Sequence, residues 1–117
     1  MGTDFSELRR SMSEVDRLIH EPARLLIVSI LYAVESADFL YLKRETGLTR
    51  GNLSAHLSRL ETAGYIEIEK TYRGKIPLTL CRLAETGRQA FESYHQQLKE
   101  FVQGSPLNSG DNPGGKS

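Results

Sequence analysis

The sequence predicts a mainly α-helical fold with one small β-hairpin, and three observations predict it. Apolar residues recur at three- and four-residue steps near both ends of the chain, as on amphipathic helices. Two short helical stretches, 39–46 and about 50–63, meet at a tight turn containing Gly47, which is the helix-turn-helix pattern. Directly after Gly64 the period changes to two.

Taken in order, Phe5, Leu8, Met12, Val15, Leu18 and Ile19 mark an amphipathic helix over roughly residues 4–20. Pro22 fits the first position of a second helix, where its missing N–H is not needed. From Ala23 to Val34 this helix is apolar nearly all round, which predicts a central, buried element. Ser36 to Asp38 break the run, and Asp38 is a candidate cap for a short helix over Phe39 to Thr46. Gly47 suits the left-handed stop of that helix. Thr49 caps the next, over Arg50 to Ala63, and Gly64 ends it.

Tyr65 to Lys70 alternates and reads as a strand. Residues 71–75 read as a basic loop with a turn glycine, Gly74. Ile76, Leu78 and Leu80 alternate again, with Pro77 predicting an edge position or a bulge. Cys81 falls out of phase with those three and is expected to be partly exposed. Phe91, Tyr94, Leu98, Phe101 and Val102 restore the helical period over about 85–102. We expect one domain over residues 1–103 and a disordered tail over 104–117, which is rich in Gly, Ser, Asn and Pro.

The 117 residues carry no net charge, yet the charge is polarised. Residues 1–40 hold four basic and seven acidic groups, residues 41–75 seven basic and four acidic, and residues 76–117 four of each. The basic surplus thus falls on the helix-turn-helix and hairpin, where a nucleic-acid partner would sit. A single cysteine excludes an intramolecular disulfide framework and a multi-cysteine zinc site within one chain. The longest apolar run is too short to cross a bilayer, and no basic region followed by an apolar stretch marks a signal peptide. The expected location is the cytoplasm, with no membrane partner.

The helix over about 50–63 carries the chemistry. Leu53, Leu57 and Leu60 cluster on one side of a helical wheel. Gly51, Asn52, Ala55, Ser58, Arg59 and Thr62 lie opposite, with Arg50, Ser54 and His56 on the flanks. A helix enters the major groove, roughly 12 Å wide, only if its outer face allows the approach. Gly51, Ala55 and Ser58 allow it. Asn52 has the donor and acceptor that match the edge of adenine, and Ser54 and Ser58 can bond a base or a phosphate. Arg50 and Arg59 can reach guanine or phosphate oxygens, and the helix start at Thr49 offers free N–H groups to phosphate. Beyond it, Arg73 and Lys75 at the hairpin tip can straddle the adjacent backbone, with Arg73 suited to the minor groove. Tyr72 can bond a phosphate or simply pack. The competing reading is a loosened first turn at Gly51 and a solvated polar face.

The segments "LTRGNLSAHLSRLETAGYIEIEK", "YRGKIPLTLCRL" and "AETGRQAFESY" together resemble a small winged helix-turn-helix transcriptional regulator of the type related to MarR and ArsR proteins. The resemblance covers about residues 10–101. It implies a winged helix-turn-helix with N- and C-terminal dimerisation helices, binding double-stranded DNA as a homodimer. Ala84 departs from it, since the family usually places a capping threonine there. No extra ligand-sensing domain is expected either.

The apolar stripes of the first and last helices predict the same symmetric dimer, with Phe5, Leu8, Met12, Phe91, Tyr94, Leu98 and Phe101 contributing. The sequence shows no phosphate-binding loop, nucleophile elbow or metal-binding helix pair, so no enzyme activity, cofactor or metal is expected. His56 reads as a structural histidine or a phosphate contact rather than a metal ligand. No residue set announces a small-molecule effector. Two rivals to sequence-specific regulation remain: a winged-helix module that binds protein, and a nonspecific DNA-binding protein.

Overall fold

Local capping signals set most of the element boundaries. The computed structural model describes residues 4–104, so the expected tail lies, beyond Gly104, outside the described residues. Within them are five helices and a three-stranded antiparallel sheet.

Helix α1 spans Ser6–Ser13 and stops well short of the expected residue 20. Asp16 is the reason. One of its carboxylate oxygens accepts from the backbone N–H groups of Leu18 (2.9 Å) and Ile19 (3.2 Å). That local bonding offers the backbone an alternative to the helix. The turn still places Ile19 fully inside the protein.

Helix α2 spans Pro22–Val34 with proline at its first position and the Glu21 side chain accepting from the Arg24 N–H. Its Ile27, Val28 and Leu31 are completely buried, whereas Leu26 and Val34 are exposed. Burial all round is therefore corrected: one edge of α2 faces solvent. After α2, Glu35 takes a left-handed φ of 73°. Strand β1, Ser36–Asp38, follows. The sequence marks this stretch only as a break, because three residues carry no period.

Asp38 and Gly47 bracket α3 (Phe39–Thr46) as expected: the Asp38 carboxylate accepts from the Tyr41 N–H, and Gly47 has φ 72°. Thr49 caps α4, Arg50–Thr62, through a 3.1 Å bond from the Asn52 N–H. Gly64 turns the chain with φ 81°.

Strands β2 (Ile66–Arg73) and β3 (Ile76–Leu83) pair in unbroken antiparallel register from Ile66↔Leu83 to Arg73↔Ile76. The loop expected over 71–75 shrinks to Gly74 and Lys75, because the positive φ of Gly74 lets two residues reverse the chain. The edge position expected of Pro77 also needs correction. Strand order is β1-β3-β2, so β3 is central, but β1 pairs only with Leu80, Cys81 and Arg82. Pro77 therefore faces an unpaired flank and needs no bulge. Cys81 is fully buried rather than partly exposed, and Ile76 is exposed instead. Register decides this: Cys81 pairs with Ile68 and Leu83 with Ile66, so that parity faces the core.

Helix α5, Glu85–Gln103, starts at Ala84 with no side-chain cap, as expected. The Ala84 N–H bonds the Tyr65 carbonyl at 2.9 Å. A methyl group on Gly87 would collide with that same carbonyl oxygen, so glycine permits the close approach of α5 to the end of α4. The main core gathers α2, α3, α4 and the sheet around Ile27, Leu31, Leu42, Leu53, Leu57 and Leu60. A smaller one, Val15, Ile19 and Tyr94, joins the α1–α2 turn to α5. Among the described residues no helix is long and apolar enough to cross a membrane.

Candidate nucleic-acid interface

Helix α4 has two unlike faces. Leu53, Leu57 and Leu60 are buried and fix it to the domain. Gly51, Asn52, Ser54, Ala55, Ser58 and Arg59 are all exposed, as are Thr49 and Arg50 at its start. Space is open where a Cβ on Gly51 would lie, so internal packing does not require glycine there. The Asn52 backbone serves the Thr49 cap, while its carboxamide has no partner among the described residues. The Arg50 guanidinium sits 5.3 Å above the Phe39 ring, a cation–π contact that holds its base while leaving its N–H groups free.

Between this face and the hairpin runs an open trough of about 680 Å³. Arg50, Ser54, Ser58, Lys70 and Thr79 line it with cations and hydroxyls, and Asp38 and Glu61 add acidic groups. The hairpin forms its far wall. Tyr72 is exposed near the tip, and Lys75 occupies the turn itself. Arg73 points back: its Nη2 lies 3.7 Å from an Asp38 carboxylate oxygen. Asp38 thus caps α3 with one oxygen and meets the hairpin arginine with the other. Sequence reading missed this pairing because the two residues belong to separate elements.

His56 is half-buried on the flank of α4, and its Nδ1 lies 3.1 Å from Nη1 of Arg24 on α2. Local patterning does not pair Arg24 with α4; its one signal in the sequence is an arginine inside an otherwise apolar helical stretch. Cys81 is fully buried, and burial pushes its thiol up to about 11. Among the described residues no cluster of His, Cys, Asp or Glu could hold a metal ion.

The residues expected at a dimer interface sit on or near α1 and α5. Phe5 is exposed, and Leu8, Met12, Phe91, Leu98 and Phe101 are half-buried. Tyr94 is buried inside the chain, with its hydroxyl 2.7 Å from His20 Nδ1. Phe91 packs against Tyr32 with ring centroids 4.8 Å apart. Both therefore serve the chain's own packing.

A family model described as winged helix DNA-binding domain matches residues 23–102. An uncharacterized protein of Methanocaldococcus jannaschii is 35% identical over 86 residues, 73% of this chain and 92% of that protein. A transcriptional regulator homologue protein from Pyrococcus horikoshii OT3 matches in structure with a TM-score of 0.75 at 26% identity, over 84% of this chain and 95% of that one. A mutant of MarR from E. coli, solved in complex with operator DNA, matches with a TM-score of 0.58 at 20% identity, over 87% and 84% of the two chains. That last likeness is one of fold.

Proposed function

The chain belongs to the winged helix DNA-binding domain family, and on that premise we propose that it is a sequence-specific transcriptional regulator of double-stranded DNA. One observation carries the reading: α4 buries its leucines completely and leaves a small, polar outer face. That face suits the major groove, with Asn52 reading a base edge and Thr49, Arg50, Ser54, Ser58 and Arg59 contacting bases or phosphates. Gly51 and Ala55 supply clearance. Tyr72, Arg73 and Lys75 of the wing lie on the adjacent backbone or minor groove, with Arg73 exchanging Asp38 for phosphate. The fold neighbour solved with operator DNA supports a DNA partner.

The protein works as a cytoplasmic homodimer without enzyme activity or cofactor. The winged domain with its terminal helices takes in residues 1–103. Phe5, Leu8, Met12, Leu98 and Phe101 face the second copy, with Tyr94 and Phe91 stiffening the helices behind them. Half-sites then lie one helical turn apart or a multiple of it.

The test selects duplexes from a random library, then titrates a selected and a scrambled duplex at two salt concentrations. Preference for the selected duplex, with affinity falling as salt rises, is expected. Equal affinity for both indicates a nonspecific binder, and no binding at low salt defeats the reading. Asn52→Ala should relax the preference by about 1–3 kcal/mol at one base position. Arg73→Ala should weaken binding to all duplexes and shallow the salt slope by about one.

A further inference from the structure

Arg24 starts on α2 but its side chain ends against α4. It is the buried charged residue of the described chain, only 8% exposed. Its Nε donates to the Leu18 carbonyl oxygen at 2.7 Å, which fixes the plane of the guanidinium. Its Nη1 then lies 3.1 Å from Nδ1 of His56. A guanidinium has donors and no acceptor. His56 Nδ1 must therefore accept, and the ring proton sits on Nε2. The other group near Nδ1 is a Glu21 carboxylate oxygen at 3.9 Å, beyond hydrogen-bond length.

No partner within the described residues takes the Nε2–H of His56. Every buried side-chain nitrogen or oxygen there does have a partner, so Nε2–H opens onto solvent. It does so from α4, one turn after Asn52 and one turn before Arg59. It also does so from the half-buried flank beside α2, where a side chain meets the rim of a groove rather than its floor.

We propose that His56 is an uncharged donor to one DNA phosphate at the edge of the α4 contact, and that Arg24 is the positioning residue that sets its ring and tautomer. The inference rests on the DNA-binding reading above and deepens it. Its mark is electrostatic. A cation on a phosphate releases a counterion and steepens the salt dependence by about 0.9 per contact, whereas an uncharged donor releases none. Losing His56 should therefore lower affinity equally at all salt concentrations.

The experiment measures affinity of the full chain for its selected duplex across salt. His56→Leu should bind about tenfold more weakly with an unchanged slope, the loss of one hydrogen bond to a charged group. His56→Gln, which can present an amide N–H near the position of Nε2, should regain most of the affinity. Arg24→Met should match His56→Leu, and the double variant should be no weaker than either single one. Arg24→Lys keeps a donor-only partner and should restore binding. Two-bond 1H–15N correlation on the free protein should show the His56 proton on Nε2. A proton on Nδ1, wild-type affinity in His56→Leu, a slope shallower by about one in that variant, or additive losses in the double variant would each overturn the proposal. Failure of the wild-type chain to bind any duplex would instead defeat the DNA-binding reading. If Arg24→Met does not fold, as circular dichroism would reveal, the His56 series and the tautomer measurement decide alone.

Discussion

The core behind α4 and the smaller core behind α5 are held by different forces. Behind α4, Ile27, Val28, Leu31, Leu53, Leu57, Leu60 and Ile66 form one buried cluster with Cys81. Behind α5, three buried residues do the packing, and phenols complete it. Tyr94 meets His20 at 2.7 Å, and the Tyr65 hydroxyl donates to Asp16 at 2.6 Å. Close packing transmits a fixed shape, so the first core holds the outer face of α4 in one position. The second depends on a few directional bonds, each worth about 1 kcal/mol. It ties the terminal helices to the winged domain. Tyr65 joins the two systems: its N–H bonds Leu60 of α4, its carbonyl receives Ala84, and its hydroxyl reaches Asp16.

The largest effect should come from the first core. Leu53→Ala removes a fully buried side chain and should cost about 3 kcal/mol in urea unfolding. A loss under about 1 kcal/mol would mean that α4 is not fixed by packing. Next is the junction. Gly87→Ala forces α5 away from the Tyr65 carbonyl and should cost about 2 kcal/mol. Wild-type stability in that variant would show that the approach of α5 is loose.

Tyr65→Phe should cost about 1 kcal/mol and leave α4 in place. It also changes the response to alkali. Burial, then the Asp16 hydrogen bond and charge, push the Tyr65 phenol from its ordinary 10.0 up to about 12. Below pH 10 the folded and unfolded chains both keep the proton, so the contribution is fully present. Between 10 and 12 the unfolded chain alone releases it, so stability falls as pH rises. The buried Cys81 thiol acts with the same sign between its ordinary 9.0 and about 11. Urea midpoints should therefore decline from pH 9 to 12, and Tyr65→Phe should flatten the upper part of that decline. An unchanged profile in the variant would remove Tyr65 from the account.

The smallest stability effect should be a gain. Gly51→Ala meets open space and should stabilise α4 by about 0.5 kcal/mol. The same methyl group should weaken DNA binding about fivefold, equivalent to about 1 kcal/mol of overpacking in the groove. Affinity unchanged beside higher stability would return Gly51 to a mere defect of the first turn.

Legibility in the sequence followed the range of the interaction. The caps at Asp38 and Thr49 and the stops at Gly47 and Gly64 were readable, since each acts within one turn. So was the exposed face opposite Leu53, Leu57 and Leu60, which needs only the helical period. The strand over Ser36–Asp38 was not, because its hydrogen bonds run to Leu80, Cys81 and Arg82. Nor was the early end of α1, where the Asp16 side chain outcompeted a sound apolar stripe.

By itself, then, the sequence determined where α3 and α4 begin and end, that a hairpin follows them, and that α4 would turn small polar residues outward. Backbone bonding and side-chain period specify those features locally. Only the tertiary structure decided that β3 would turn Cys81 inward, since its apolar residues fall on both parities and the pairing with β2 chooses between them. Only it placed Arg24 on His56, thirty-two residues away, and Asp38 beside Arg73. Those contacts exist because separate elements share one core, and a chain read residue by residue contains no distance between them.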